Sequence, residues 1–266
     1  MISRLLIAIL VLFMAACTSQ EAADFKEGQK LVDQGRYKDG LINFERVVKR
    51  NSGSEYTVEA AREAARIAFF EVKDYDKAIY FHQFLVLNSP DQKERIESQK
   101  QIAAIYFNNL QHYQKSIIEF AKLQQMHLSD YEAALTKVNI ARAQYYLNNF
   151  FQAESEIDDL LKLRSDENVR FNALILKGNI LVAKKDFIKA ADLFKGLMTN
   201  YPVKAKQENI ALTLAVCYEE NLDFKSAIAV LETLRDTYNP PEYIELRIKR
   251  LQERQRNAPG AKGFRK

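Results

Sequence analysis

The ten residues GRYKDGLINF (35–44) decide the fold, because the same pattern returns five more times along the chain. The later copies are KDYDKAIYFH (73–82), LQHYQKSIIEF (110–120), NNFFQAESEI (148–157), KDFIKAADLF (185–194) and LDFKSAIAVL (222–231). Self-similarity at a fixed period of this length is the signature of a repeat architecture.

An aromatic residue marks the same place in every copy. The intervals between successive aromatics are 38, 38, 37, 37 and 37 residues, at Tyr37, Tyr75, Tyr113, Phe150, Phe187 and Phe224. Three residues after each aromatic stands a small residue: Gly40, Ala78, Ser116, Ala153, Ala190 or Ala227. Nine residues before each aromatic stands Gly28, Arg66, Ala104, Ala141, Gly178 or Ala215. Arg66 breaks the rule, so we expect the first helix of repeat 2 to be shifted by one residue.

These positions predict pairs of antiparallel helices. A small residue in each helix lets the two backbones approach closely, and the aromatic at the turn fills the gap between them. The chain has only 8 Gly and 5 Pro, and its apolar residues recur with helical periodicity, which argues against an all-β fold.

The pattern resembles the tetratricopeptide repeat, a helix–turn–helix unit of 34 residues. The resemblance implies an all-α fold: a right-handed α-solenoid of six helix pairs over residues 21–240, with one concave face. Residues 241–256 are expected to form a terminal capping helix, with Tyr243, Ile244, Ile248 and Leu251 on its inner side. The repeats exceed the family length by three or four residues, which we expect in the loops between repeats.

The first 16 residues have the layout of an export signal. Arg4 precedes the apolar run Leu5–Phe13, and Ala15 and Ala16 stand before Cys17. The run is shorter than the roughly 20 residues that span a bilayer. Met14–Cys17 resembles the lipobox of bacterial lipoproteins, which implies a palmitate-bearing Cys17 at the mature amino terminus and a linker over residues 17–20. With no aspartate after Cys17, the resemblance implies sorting to the outer membrane, facing the periplasm.

If Cys17 carries lipid, the second cysteine, Cys217, has no partner in the chain, and we expect it to be buried as a small apolar residue.

Positive charge is concentrated at the carboxy-terminal end of the sequence. Residues 247–266 carry a net charge of +7, and we expect residues 257–266 to form a disordered basic tail.

No catalytic, metal-binding or phosphate-binding motif is found in the sequence. The three histidines are scattered, and His82 falls where other repeats have Phe44 or Phe120, which predicts packing. The sequence therefore predicts no enzyme, no cofactor, no metal site and no small-molecule substrate. Nucleic-acid binding is disfavoured because residues 17–246 are mildly acidic and the chain is expected to be exported.

In the family that the chain resembles, the first helix of each repeat lines a groove that binds peptides. By that resemblance, repeats 4 to 6 offer Asn139, Arg142, Tyr145, Asn172, Asn179 and Asn209 as groove residues. Asparagine both donates and accepts hydrogen bonds, and arginine can bind a carboxylate with two. Repeats 1 and 2 offer a more apolar lining: Phe25, Gln29, Ala60, Glu63, Ile67 and Phe70.

These features predict an outer-membrane-anchored adaptor that binds polypeptides. The first repeat, GQKLVDQGRYKDGLINFERVVKRNSGS (28–54), is similar to that of BamD-like lipoproteins of the β-barrel assembly machinery, which implies an outer-membrane β-barrel or assembly complex as partner. Two further lipoprotein families remain open: the pilotins of type IV pilus secretins, which match the count of six repeats, and the repeat proteins that scaffold peptidoglycan hydrolases.

Overall fold

The computed structural model describes residues 20–51, 54–163 and 165–257, and they form fourteen α-helices and no strand. Helix α1 is described from residue 20 to residue 33. The others are α2 (Tyr37–Arg50), α3 (Glu55–Ile67), α4 (Tyr75–Asn88), α5 (Gln92–Ala104), α6 (Tyr113–Leu123), α7 (Asp130–Tyr146), α8 (Phe150–Lys162), α9 (Glu167–Ala183), α10 (Phe187–Asn200), α11 (Pro202–Gln207), α12 (Ile210–Glu220), α13 (Phe224–Glu232) and α14 (Pro241–Asn257).

The predicted all-α fold of helix pairs is confirmed. Each of the six turn aromatics is the first residue of the second helix of its pair, in α2, α4, α6, α8, α10 and α13. The chain divides into two compact units between Ser129 and Asp130, so that three helix pairs fall in each.

Every turn within a pair is closed in the same way. The residue two positions before each aromatic has a positive φ: Gly35, Lys73, Gln111, Asn148, Lys185 and Leu222. This left-handed conformation ends a helix by letting the next N–H reach back to a carbonyl. Thus the Asp186 N–H donates to the Leu181 carbonyl at 2.8 Å, and the Asp223 N–H donates to the Tyr218 carbonyl at 2.9 Å.

The small residues lie where the paired helices cross. All six residues three positions after the aromatics are buried. A Cβ placed on Gly40 would lie 2.6 Å from Val32 Cγ2 and 3.0 Å from the Gly28 carbonyl oxygen, which is closer than non-bonded atoms approach. Close packing of the two backbones therefore requires these residue types.

The two intervals of 38 residues have a structural cause. In repeats 2 and 3 the first helix ends in a π-helical segment, Ala68–Val72 and Ile105–Asn109. The closing N–H of these turns reaches one residue further back, from Asp74 to Ala68 and from His112 to Tyr106. The extra residue also explains the exception at Arg66, which is exposed. Counting ten back instead of nine reaches Ala65 and Ala103, both fully buried.

The π segment leaves the contact with the turn aromatic in place. Phe69 lies 5.8 Å from Tyr75 between ring centroids, six residues along the chain. In repeat 4, which has no π segment, Tyr145 lies 5.9 Å from Phe150, five residues along. The extra residue of repeat 2 therefore lies between Phe69 and Tyr75, in a stretch that begins with Phe70, whose side chain is 65% exposed. Part of the extra repeat length thus lies inside helices and not, as expected, in the loops between repeats.

Repeat 6 differs from the others because its first helix is broken. Asn209 has a positive φ between α11 and α12. Helix α14 then covers the end of the second unit with Ile244, Ile248 and Leu251, which are buried as predicted. The prediction for Tyr243 is wrong: it is 44% exposed, and its ring lies 5.5 Å from that of Tyr238.

Three sequence predictions concern residues outside those described: the signal peptide over residues 1–16, lipidation of Cys17 and, apart from Asn257, which ends α14, the basic tail over residues 257–266. Cys217 is buried as expected, and burial raises the pKa of its thiol to about 11. None of the helices described is both long enough and apolar enough to cross a membrane.

The crossing in repeat 5 gives a direct test. A Cβ added to Gly178 would lie 2.5 Å from Cζ of Phe194, a fully buried ring, whereas one added to Gly196 has no atom within 4 Å. We expect Gly178→Ala to lower the free energy of unfolding by about 1–3 kcal/mol through overpacking. Gly196→Ala, in the middle of α10, should raise it by about 0.5–1 kcal/mol. Urea unfolding of both variants measures the difference, and equal effects would contradict a close crossing at Gly178.

Candidate functional site

Helix α7 presents one exposed face in the second unit. Tyr131, Leu135, Arg142 and Tyr146 recur at helical spacing and are exposed, and Asn139 beside them is half-buried. Ala134, Val138 and Ala141, on another side of the helix, are buried in the core. Two tyrosines and a leucine therefore flank a single guanidinium on this face.

Helix α9 packs against α7 and continues this surface with amides. Asn168 and Asn172 are exposed and Asn179 is half-buried, on a stripe that also includes the half-buried Ile175. The interval of 37 residues places Asn168, Asn172 and Asn179 at the repeat positions of Tyr131, Leu135 and Arg142. Together, the exposed or half-buried residues of the two helices form what we call the α7–α9 surface: Tyr131, Leu135, Asn139, Arg142, Tyr146, Asn168, Asn172, Ile175 and Asn179.

Arg142 is available to a ligand. Of the four cations on α7 and α9, two are bound to acids on α8: Lys137 to Glu156 at 3.2 Å, and Lys177 to Asp158 at 2.6 Å. The third, Arg170, donates to the Leu161 carbonyl at 3.0 Å. Arg142 makes no hydrogen bond and no ion pair with any described residue, so its five donors remain open.

The amides of the surface are equally available. The side chains of Asn139, Asn172 and Asn179 have no hydrogen-bond partner among the residues described. An amide that serves no internal network can pair with the backbone of an extended peptide, which presents one donor and one acceptor per residue.

Two residues of the predicted groove lie elsewhere. Tyr145 is half-buried against the core of repeat 4, next to Phe150, because it fills the turn between α7 and α8; its neighbour Tyr146 is the exposed one. Asn209 lies on the turn between α11 and α12 and not on a first helix. There it lines a cavity of about 360 Å³ together with Met198, Lys206, Leu234 and Tyr238.

The first unit has a cavity beside the first helices of repeats 2 and 3. It lies between α3 and α5 over α4, measures about 420 Å³, and is lined among others by Arg66, Phe69, Phe70, His82 and Gln101. Phe70, predicted for this lining, is exposed there. Phe25, Ala60 and Ile67 are buried in the core, so their predicted place in a groove is wrong. For Ala60 and Ile67 the count back from the turn aromatic was wrong by one residue, because the π segment in α3 shifts the register. Phe25 is on α1, where its ring packs 5.5 Å from those of Phe44 and Tyr56.

His82 forms part of the floor of this cavity. Burial lowers the pKa of its imidazole to about 4, although the nearby carboxylates Glu97 and Glu94 act in the opposite direction. Its buried Nδ1 has no hydrogen-bond partner in the structure. The side chain is therefore a neutral, packed histidine at neutral pH, as its repeat position predicts. Among the described residues, no cluster of histidine, cysteine and acidic side chains is suited to hold a metal ion.

Comparison with known proteins supports the assignment of the fold. Residues 25–84 match the sequence profile of the tetratricopeptide repeat. No curated protein sequence matches the chain.

Several solved structures share the fold at low sequence identity. A tetratricopeptide repeat protein from Parabacteroides merdae superposes with a TM-score of 0.57 at 14% identity, covering 89% of this chain and 88% of that one. PilW, a type IV pilus biogenesis factor, gives 0.56 at 14% identity, covering 86% and 98%. YrrB, a repeat protein with an unusual peptide-binding site, gives 0.53 at 14% identity, covering 78% and 97%. The chain thus has the tetratricopeptide-repeat fold.

The buried histidine predicts a pH dependence of stability. In the unfolded chain His82 has an ordinary pKa near 6.5, so between pH 6.5 and pH 4 the unfolded state binds a proton that the folded state excludes. The free energy of unfolding is therefore unaffected by this group above pH 6.5. It decreases as the pH drops through this window, by about 3 kcal/mol at most.

His82→Phe should remove this part of the acid destabilisation, since phenylalanine occupies the same repeat position at Phe44 and Phe120. Urea unfolding at pH 7 and pH 4.5 measures it. His127→Phe, on the exposed connection before α7, is the matched control. An unchanged pH profile in His82→Phe would contradict the buried, neutral imidazole.

Proposed function

We propose that this protein is an adaptor that binds other polypeptides and performs no catalysis. The observation that carries the proposal is the α7–α9 surface, where an unpaired guanidinium and unpaired amides lie among exposed tyrosine and leucine side chains. The Arg142 guanidinium and the amides of Asn139, Asn172 and Asn179 do not serve the fold through hydrogen bonds or ion pairs, because they have no such partner among the described residues.

The chemistry of the surface suits an extended segment of a partner. Asn172 and Asn179 can exchange hydrogen bonds with its backbone, and Arg142 can bind a carboxylate of the same segment. Tyr131 and Tyr146 offer rigid apolar faces for its side chains, with a polar hydroxyl that can remain in water. Affinity then comes from main-chain hydrogen bonds and specificity from the aromatic contacts.

We base the cellular location proposed for the adaptor on the export signal over residues 1–16 and on Cys17. The arrangement of Arg4, the apolar run and Cys17 supports export and attachment of lipid to Cys17. A single acyl chain holds a protein to a bilayer only marginally, whereas two or more hold it firmly. We propose the periplasmic face of the outer membrane as its location.

Two pathways are favoured by specific observations. The similarity of the first repeat to BamD-like lipoproteins favours a role in outer-membrane protein assembly, with a β-barrel or its assembly complex as partner. Similarity to PilW along 86% of this chain favours a role in type IV pilus biogenesis, where a secretin would be the partner. Purification of the natively lipidated protein in mild detergent, followed by mass spectrometry, distinguishes a β-barrel assembly complex from a secretin. Recovery of peptidoglycan hydrolases alone would point to the third family.

The α7–α9 surface predicts which residues matter for capture. We expect Arg142→Gln combined with Asn172→Ala and Asn179→Ala to reduce recovery of the partner at least tenfold, because each lost hydrogen bond to a charged or buried group contributes about 1 kcal/mol or more. Quantitative pull-down measures the loss. Arg250→Gln, an exposed arginine on α14 without an ion pair, is the control. Equal recovery by the triple variant and the control would rule out this surface.

The anchor predicts a change in fractionation. Cys17→Ser removes the site of lipid attachment and should move the protein from the membrane fraction to the soluble periplasm. Immunoblotting of the two fractions measures the change, and Cys217→Ser, at the buried cysteine, serves as the control for loss of a thiol. Retention of the Cys17→Ser chain in the outer membrane with full activity would contradict the anchored adaptor.

A further inference from the structure

The second unit has a distinct edge formed by the turns that join the two helices of each pair. These turns comprise residues 147–149, 184–186 and 221–223. Each connects packed helices through three residues, so the helices are antiparallel and the turns lie at the same end of the unit. Lys184 shows the proximity directly, because its Nζ lies 2.5 Å from Glu154 at the start of α8. This end of the second unit is called the turn edge below.

The turn edge carries large apolar side chains in water. Phe151 is 79% exposed, Leu222 68% and Ile188 62%. Phe151 and Ile188 occupy the second position of their helices. The corresponding residues in the first unit are Lys38, Asp76 and Gln114, all polar. Repeat 6 has Lys225 at this position, so the apolar residue there is a feature of repeats 4 and 5 and not of the repeat in general.

Leu222 adds an independent observation. It has a φ of 61°, the left-handed conformation in which the five equivalent turns have Gly35, Lys73, Gln111, Asn148 and Lys185. A non-glycine residue pays roughly 1–2 kcal/mol for this conformation, and leucine has no local hydrogen bond to offset it. The left-handed conformation itself closes the turn, as it does at the other five positions. The turn does not require an apolar side chain, however, and leucine is the only large apolar residue among these six described positions.

Lysines accompany these apolar side chains. Lys185 and Lys225 are exposed and make no ion pair with any described residue. The edge also carries acids. Asp186 accepts from the Lys189 backbone N–H and pairs with its Nζ at 2.8 Å. Asp223 accepts from the Ser226 N–H at 3.1 Å but keeps its negative charge two residues before Lys225, and the exposed Glu220 stands just before the same turn. Lys185 is therefore the cation of this edge that can meet an anionic surface.

We propose that the turn edge contacts a lipid bilayer, with Phe151, Ile188 and Leu222 entering the headgroup boundary and Lys185 facing anionic headgroups. Side chains that project from the beginnings of two helices and from a turn match a deformable interface, which needs no complementary pockets. Aromatic and aliphatic residues with lysines beside them are the residue types that bind at such an interface. This contact goes beyond the adaptor function and does not depend on the α7–α9 surface.

The absence of tryptophan from the chain allows a clean test. Phe151→Trp places a single fluorophore on the turn edge. Val203→Trp places one on α11, in the same unit and 70% exposed, but at the opposite end of the helix pairs. Each processed full-length protein is mixed with vesicles containing one quarter phosphatidylglycerol and, separately, with vesicles of phosphatidylcholine alone. Brominated lipids report the depth of the indole.

We expect the emission of Phe151→Trp to shift to the blue and to be quenched by shallow bromines, more strongly with the anionic vesicles, while Val203→Trp changes little. Adding Ile188→Ser and Leu222→Asn to Phe151→Trp should weaken vesicle binding at least tenfold, since asparagine suits the left-handed turn and removes only the apolar contact.

Equal quenching at both positions, or none at Phe151→Trp, would overturn the proposal. The second result would assign the exposed apolar side chains of the edge to contact with a protein. The mass of the purified protein reports lipid on Cys17 separately, so a failure of the proposed anchor is distinguishable from a failure of this contact.

Discussion

The crossing of two helices at a small residue is the constraint on which the rest of the structure depends. A Cβ added to Gly40 would lie 3.0 Å from the Gly28 carbonyl oxygen, where the two backbones approach closely, and one added to Gly178 would lie 2.5 Å from the ring of Phe194. That approach sets the angle of each pair, and the turn aromatic and the left-handed residue before it close the end. Because each pair buries its apolar surface only against itself and its neighbours, stability is a sum of local contributions.

The same constraint leaves the outward-facing residues of each repeat free to vary. The core positions of a repeat are few and fixed, so the outward positions can diverge from one repeat to the next without cost to the fold. Tyr131 and Asn168 occupy one repeat position, and Gln114 and Phe151 occupy another. The α7–α9 surface and the turn edge therefore occur on a scaffold that is otherwise uniform, and each can be altered independently of the other.

Much of the fold could be predicted from the sequence, because small and aromatic residues have a single reason to recur together. The candidate site was predicted less well. Spacing alone could not distinguish Tyr145 from Tyr146, since one residue of rotation decides which ring fills the turn. The break at Asn209 left no signal beyond an asparagine that tolerates a positive φ. The division between Ser129 and Asp130 arises from packing, which the periodicity does not record.

The π-helical segments of α3 and α5 show how such a chain can gain a surface residue. Phe69 still meets Tyr75 and Phe107 still meets Tyr113, so both helix pairs are closed as in the other repeats. The additional residue lies between Phe69 and Tyr75 in one and between Phe107 and Tyr113 in the other, and Phe70 and Asn108, the first residues of these stretches, are exposed. A single inserted codon can thus lengthen the chain beside a cavity while the following repeats keep their register. Point substitution, which only exchanges one existing side chain for another, offers no equivalent route to a new contact.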